Sequence, residues 1–336
     1  MGVLKNIAIL ATIGSITYVT RRCLIGRRYC SSRKFDNKEL IIVTGCTSGI
    51  GLAVVKELGS RNCHLVLGCR NLDSGEKTRQ LLIKQFGNDI LVDVFHVDFC
   101  CLSSIAGFAK RITDLQKPIY ALVNNAAIFY HTPQQTIDKL EQTFQVNYLG
   151  HFLLTLLLLP TLKQCTIGAR IVNLVSKAHL AAQVCPDLEL HEKFEDTPNN
   201  RFRAYQYSKL CLVSFAYKLS SLLAKSSVSV HCVDPGNVET AIYRDFPQLS
   251  NKVSFYLQKP IRLLTVKTPY EGAQAVLYAI LENQAPRFYI KEFSSQQDES
   301  GEINPIAKNP VLGDSLWTLS RQLCHLTHFS QLNKVQ

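Results

Sequence analysis

The sequence predicts an α/β fold: a single doubly wound parallel sheet with helices on both faces. From about residue 38 onward, near-continuous apolar runs alternate with stretches of helical spacing, the pattern of strands covered on both sides. A glycine-rich turn closes the first of these runs. The 336 residues, 46% of them hydrophobic, supply one large core, and no repeat, low-complexity tract or Gly/Ser linker divides it.

Glu39–Thr44 (ELIIVT) reads as the first strand and Gly49–Leu58 as the first helix. His64–Cys69 and Leu72–Phe86 repeat the unit, and Ile90–Val97 and Ser103–Leu115 repeat it again. Tyr120–Asn124 is the fourth strand, followed by a long helix over Ile137–Leu162. Arg170–Val175 is the fifth strand, Ala204–Leu223 a helix and Ser229–Val233 the sixth strand. A sheet of this kind binds ligands at the carboxyl ends of its strands, near the point where strand order reverses.

The domain partition follows from composition: residues 1–35 form a hydrophobic anchor with a basic flank, 36–300 the α/β domain, and 301–336 a C-terminal extension that packs on the domain or lies near the membrane. The net charge of +11 suggests nucleic acid at first sight. Seven of those charges lie in residues 1–35, which hold no acid, leaving +4 for the rest. No nucleic-acid motif accompanies them, so no nucleic-acid partner is expected. Ile7–Val19 (IAILATIGSITYV) is uncharged and apolar, marginal against the ~20 residues of a spanning helix. An uncleaved anchor, a helix lying in the interface and a cleaved signal all remain open. The anchor is favoured because Arg21, Arg22, Arg27 and Arg28 follow the apolar run instead of preceding it. Twelve cysteines are spread without a C-x-x-C pair or histidines at ligand spacing, which reads as reduced thiols facing the cytosol and no metal.

Thr44-Gly45-Cys46-Thr47-Ser48-Gly49-Ile50-Gly51 joins the first strand to the first helix. Glycines here let backbone approach a pyrophosphate, which then sits on free N–H groups at a helix start. Roughly 0.04 matches to this glycine spacing are expected by chance in such a composition. At the end of strand two stands Cys69-Arg70-Asn71, with no acid for a ribose 2′-hydroxyl. The guanidinium of Arg70 suits a 2′-phosphate, which predicts NADP(H) in preference to NAD(H).

Tyr205 and Lys209 form the only Tyr-x-x-x-Lys pair in the chain. Four residues apart on a helix, they share a face, and an ammonium there draws the phenol from its ordinary pKa of about 10 towards neutrality. Alone the pair is weak, since about one is expected by chance.

The ordered set is stronger. TGCTSGIG (44–51), Asp98, Asn124-Asn125-Ala126-Ala127, Asn147 in QVNYLGHF, Ser176 in RIVNLVS, Tyr205 with Lys209, and Asp234-Pro235-Gly236 together resemble the short-chain dehydrogenase/reductase family over about residues 38–295. GCRN after strand two, FQVNYLGHFLLT and the AYxxSKL stretch are similar to its membrane-anchored, retinol dehydrogenase-like branch. Val233–Gly236 with Thr240, then KTPYEGA (267–273), look closest to the X-linked dehydrogenase/reductase type.

The resemblance implies a Rossmann-type domain and an oxidoreductase acting on a CH–OH group. It makes Tyr205 the acid/base, with Lys209 beside it and holding the nicotinamide ribose. Ser176 would hold the substrate oxygen, and Asn147 would support a proton relay behind Lys209. Gly45, Thr47, Ser48, Gly49, Ile50 and Gly51 would cradle the pyrophosphate. Arg70 would take the 2′-phosphate, Asp98 the adenine, Asn124 and Ala126 would line the cofactor, and Thr240 would lie near its carboxamide. The implied substrate is a hydrophobic lipid (a retinoid, a steroid or a long isoprenoid alcohol), and the implied location is the endoplasmic reticulum membrane with the catalytic domain facing the cytosol. The sequence departs from the family at Ala127, where glycine is usual, and at Val175, where serine is frequent. His151 and His179 read as structural histidines. Leu180–Asn200 reads as a loop beside the substrate entrance and Ala241–Leu264 as an apolar, basic lid. A cofactor-binding but inactive scaffold at a membrane, and a cofactor-free lipid-binding protein, are the rival readings.

Overall fold

In the computed structural model, which describes Arg21 and residues 28–36, 39–129, 132–183, 197–240, 265–282, 287–291 and 303–326, seven strands form one sheet. They are β1 (Leu40–Thr44), β2 (His64–Cys69), β3 (Val92–His96), β4 (Ile119–Asn124), β5 (Ala169–Leu174), β6 (Val228–Asp234) and β7 (Tyr289–Lys291). Their order is β3-β2-β1-β4-β5-β6-β7, every pair is parallel, and the order reverses between β1 and β4. All five residues of β1 and all six of β4 are buried, which is why these stretches read as unbroken apolar runs.

Helices α1 (Gly49–Leu58), α2 (Leu72–Phe86) and α6 (Pro269–Leu281) cover one face of the sheet. Helices α3 (Leu102–Thr113), α4 (Gln142–Leu162) and α5 (Pro198–Leu222) cover the other. A last helix, α7 (Pro310–Leu323), lies outside α4 and α5. Trp317 packs edge-on against Phe152 at 5.4 Å and beside Phe215 at 6.0 Å, and Tyr148 Oη meets Ser320 Oγ at 2.6 Å. Among the described residues, α4 is the helix long and apolar enough to cross a membrane, but 89% of its apolar stretch is buried between sheet and neighbouring helices. An all-round apolar helix is what such a sandwich requires.

Most expected boundaries fall within two residues of the observed ones, and two move further. The long helix begins at Gln142, not Ile137, because the buried Glu141 accepts hydrogen bonds from the N–H groups of Thr143 (2.9 Å) and Phe144 (2.6 Å). Ile137 itself is 79% exposed in the preceding turn. Helix α5 begins at Pro198, not Ala204: Thr197 Oγ1 accepts from Asn200 N, and proline occupies the first turn. The apolar run Ile7–Val19, most of the Leu180–Asn200 loop and the lid Ala241–Leu264 lie outside the described residues.

The basic flank is partly engaged by the body. Arg21 pairs with Glu271 at 2.8 Å, Arg28 stands over the Tyr270 ring, and Arg33 stacks on Tyr120 at 4.7 Å. The first two contacts lie on α6 and the third on β4, so some of the charge of the basic flank is engaged by the α/β domain.

Candidate active site

At the carboxyl ends of β1, β4 and β5 opens a cleft of about 520 Å³. The loop after β1 forms its floor. Gly45 and Gly49 sit at φ +62° and +54°, where a side chain is strained. A Cβ on Gly45 would fall 2.9 Å from Ala126 Cα, and one on Gly49 would fall 3.1 Å from Thr240 Cγ2. The floor must therefore be bare backbone, with the N-terminus of α1 behind it. This fits an anionic diphosphate in extended contact with the loop.

The loop is held from β4. Thr44 Oγ1 accepts from Asn125 N and Ala126 N, both at 3.0 Å, and donates to Val123 O. Asn125 Nδ2 returns to Thr44 O at 2.7 Å and Gly45 O at 3.0 Å. Asn125 is thus the tie between the two strand ends at the reversal point. Its only signal in the sequence is its place in the NNAA run.

Thr47, Ser48, Ile50, Arg70, Asp98, Ala126, Ser176, Tyr205, Lys209 and Thr240 line the same cleft with Gly45 and Gly49. Three singled-out residues lie behind its wall. Gly51 is a packing position, since a Cβ there would overlap Gly45 O and approach Asn125 Nδ2 to 2.6 Å. Asn124 is buried in the sheet, donating to Thr155 Oγ1 and Asn173 Oδ1. Asn147 is buried where α4 widens into a π turn at Gln145–Leu149. Its amide accepts from Ile128 N (2.8 Å) and donates to Ile128 O (2.9 Å) and Ser208 Oγ (3.1 Å). That pins the loop after β4 to the turn of α5 that ends on Lys209. The cleft also takes in residues the sequence did not single out, among them Cys100, Phe129, Gln142 and Val238.

Lys209 is buried, and its Nζ donates to Leu174 O at 2.8 Å. Burial pushes its pKa down to about 8, with the nearby Asp234 carboxylate acting the other way. Its Nζ lies 5.6 Å from the centre of the Tyr205 ring. Phe129 packs edge-on to that ring at 4.7 Å, giving the phenol an apolar flank. Ser176 opens the turn after β5, and its Oγ accepts from Ala178 N. His151 Nε2 donates to Ala126 O at 2.8 Å, and burial pushes its pKa down to about 3. It is a neutral support beneath the cleft wall. A buried cation, a phenol and a hydroxyl thus share one mouth with a bare-backbone floor.

Residues 39–185 match the family model for short chain dehydrogenase. The chain is 33% identical to mouse retinol dehydrogenase 13 over 301 residues, covering 88% of this chain and 87% of that protein. It is 36% identical to human polyprenol dehydrogenase over 243 residues, 71% of each. The fold superposes on a crystal structure of a protein from Mycobacterium paratuberculosis with a TM-score of 0.66, at 24% identity and over 89% and 98% of the two chains. Actinorhodin polyketide ketoreductase, solved with NADPH, gives 0.61 at 22% identity over 78% of this chain and all of that one. By its sequence, then, the chain belongs to the short-chain dehydrogenase family of oxidoreductases, in its retinol dehydrogenase-like branch.

Proposed function

We propose that this protein transfers hydride between NADP(H) and the alcohol or carbonyl group of a hydrophobic, lipid-like substrate such as a retinoid, a steroid or a long isoprenoid alcohol. The observation that carries it is the shared cleft: Ser176, Tyr205 and Lys209 open onto the same space as the bare-backbone floor at Gly45 and Gly49. The relatives named for retinol and polyprenol support the substrate class. Arg70, exposed at the end of β2 on that cleft, supports the 2′-phosphate form of the cofactor. Thr47, Ser48 and Ile50 would complete the diphosphate cradle, Asp98 would meet the adenine, and Ala126 and Thr240 would flank the nicotinamide end.

When bound, the nicotinamide supplies or takes up the hydride. The chain positions the substrate and handles its proton. Tyr205 Oη gives a proton to the substrate oxygen in reduction and takes it back in oxidation. Lys209, protonated below about pH 8, stabilises the phenolate left behind. Ser176 donates to the substrate oxygen and sets its distance from Tyr205. Asn147 acts from behind, holding Ile128 and Ser208 so that Lys209 keeps its place. The N-terminal apolar run would tether the protein to a membrane, with the catalytic domain on the cytosolic side.

Replacing Tyr205 with phenylalanine tests the reading. NADPH binding, followed by the nucleotide's own emission, should survive, while reduction of all-trans-retinal in detergent should fall by at least about a hundredfold. Trp317 packs on Phe152 and Phe215 away from the cleft, so its emission is a poor reporter. A wild-type protein that binds neither NADPH nor NADH would sink the reading.

A further inference from the structure

The turn that follows Ser176 is held from the far end of the chain. Residues Lys177–Ala181 make a tight 3₁₀ turn, and such turns leave carbonyls without partners in the turn itself. The Ala182 N–H reaches His179 O at 3.3 Å, and Asn304, buried and well outside the glycine and tyrosine motifs, adds a side-chain donor to the carbonyls at the end of the turn. Its Nδ2 lies 3.1 Å from His179 O, 3.3 Å from Ala182 O and 3.4 Å from Leu180 O. Its Oδ1 accepts from Ile306 N at 3.0 Å, which orients the amide with its NH₂ towards the turn.

The turn in turn holds Ser176. His179 Nδ1 reaches Ser176 O at 2.6 Å, and His179 N reaches the same oxygen at 3.1 Å. A carbonyl only accepts, so Nδ1 carries the proton. The peptide of Ser176 is therefore clamped twice by one fully buried residue. That residue's own carbonyl is clamped by Asn304. The 303–326 segment is itself anchored by Trp317 and Ser320 on α4 and α5 and by Asp314 on Lys218 at 2.5 Å. A run of packing contacts and hydrogen bonds thus leads from the C-terminal helix to the backbone carbonyl of Ser176, the residue whose hydroxyl is assigned to the substrate oxygen.

We propose that Asn304 is a positioning residue for Ser176, acting through the Lys177–Ala181 turn and His179. This rests on the reading of Ser176 given above. Serine without its clamp keeps its chemistry but loses its distance to the substrate oxygen, and misplacement of about 1 Å costs on the order of a hundredfold in rate.

The test uses the full-length protein with NADPH and all-trans-retinal. Asn304→Ala and Asn304→Asp should each lower turnover roughly ten- to hundredfold, with NADPH affinity within about twofold of wild type. Aspartate has the same shape but puts an acceptor against three carbonyls, so it should be at least as damaging as alanine. Because a buried carboxylate carries a desolvation cost in any role, the alanine variant and the exchange measurement below separate positioning from mere space-filling. In a Ser176→Ala background, Asn304→Ala should change turnover by less than about twofold, because the group it positions is gone. Hydrogen exchange in a peptide spanning residues 176–183 should rise in both variants while that of β1 and β4 stays unchanged. Multiplying losses in the double variant, a neutral aspartate, unchanged exchange in that peptide, or NADPH affinity falling in step with turnover would each overturn the proposal. Wild-type protein that binds NADPH but reduces no retinal would count against the substrate reading, and the exchange measurement would still decide the clamp.

Discussion

Lys209 illustrates how one side chain can be favourable for chemistry and unfavourable for folding. Its pKa in the folded protein is about 8, below its ordinary 10.5, because burial penalises the charged form. Between those values the unfolded chain binds the extra proton, so stability rises with pH across that window. Below about pH 8 the full penalty is present, on the order of 3 kcal/mol. Lys209→Met should therefore melt at pH 7 no lower than wild type while losing turnover. A large drop in melting temperature would mean that the bond to Leu174 O outweighs the desolvation. In the wild type, turnover should decline as pH rises through about 8, where the ammonium is lost; a flat profile to pH 10 would contradict the role given to it. At this scale Tyr205 and Lys209 were legible because their spacing on a helix puts them on one face. Asn125 and Asn304 were not, because what they do is set by partners from other parts of the chain, reached only through hydrogen bonds, whereas His179 was read as a structural histidine without its bond to Ser176 O.

At the scale of elements, the strands were legible from their unbroken apolar runs, since a parallel sheet is covered on both sides. The start of α4 was not. Ile137 continues the apolar pattern, yet it lies in an exposed turn closed by the Gln135–Glu141 bridge. The buried carboxylate of Glu141 decides where the helix starts, and Glu141→Ala should destabilise the protein by about 1–2 kcal/mol in chemical denaturation. Less than a few tenths would show that the helix start is set by packing instead. The short strand β7 and the helix α7 escaped the sequence pattern because neither completes a strand–helix unit. Each is specified by what it docks on: β7 by the edge of β6, and α7 by the aromatic rings of α4 and α5.

For the whole molecule, the free thiols report on cooperativity. The ten described cysteines are unbridged; Cys30 is exposed, whereas Cys46, Cys63, Cys211 and Cys232 are buried. Burial pushes the Cys63 thiol up to about 12 and raises the other three. A short iodoacetamide pulse read by mass spectrometry should label Cys30 at once, and the four buried thiols together at the rate of global opening. Labelling of Cys46 well ahead of Cys211 and Cys232 would show that the glycine loop opens on its own.

The sequence by itself determined the sheet class, the position of the glycine turn and the pairing of Tyr205 with Lys209. Those depend on local periodicity and on residue types close together along the chain. Only the tertiary structure decided that Gly51, Asn124 and Asn147 lie behind the wall, that part of the basic flank is bound to α6, and that the C-terminal segment bonds to the turn after Ser176. The reason is physical. A backbone carbonyl accepts from whichever donor the fold brings within about 3 Å, and proximity between residue 304 and residue 179 leaves no periodic trace in either stretch.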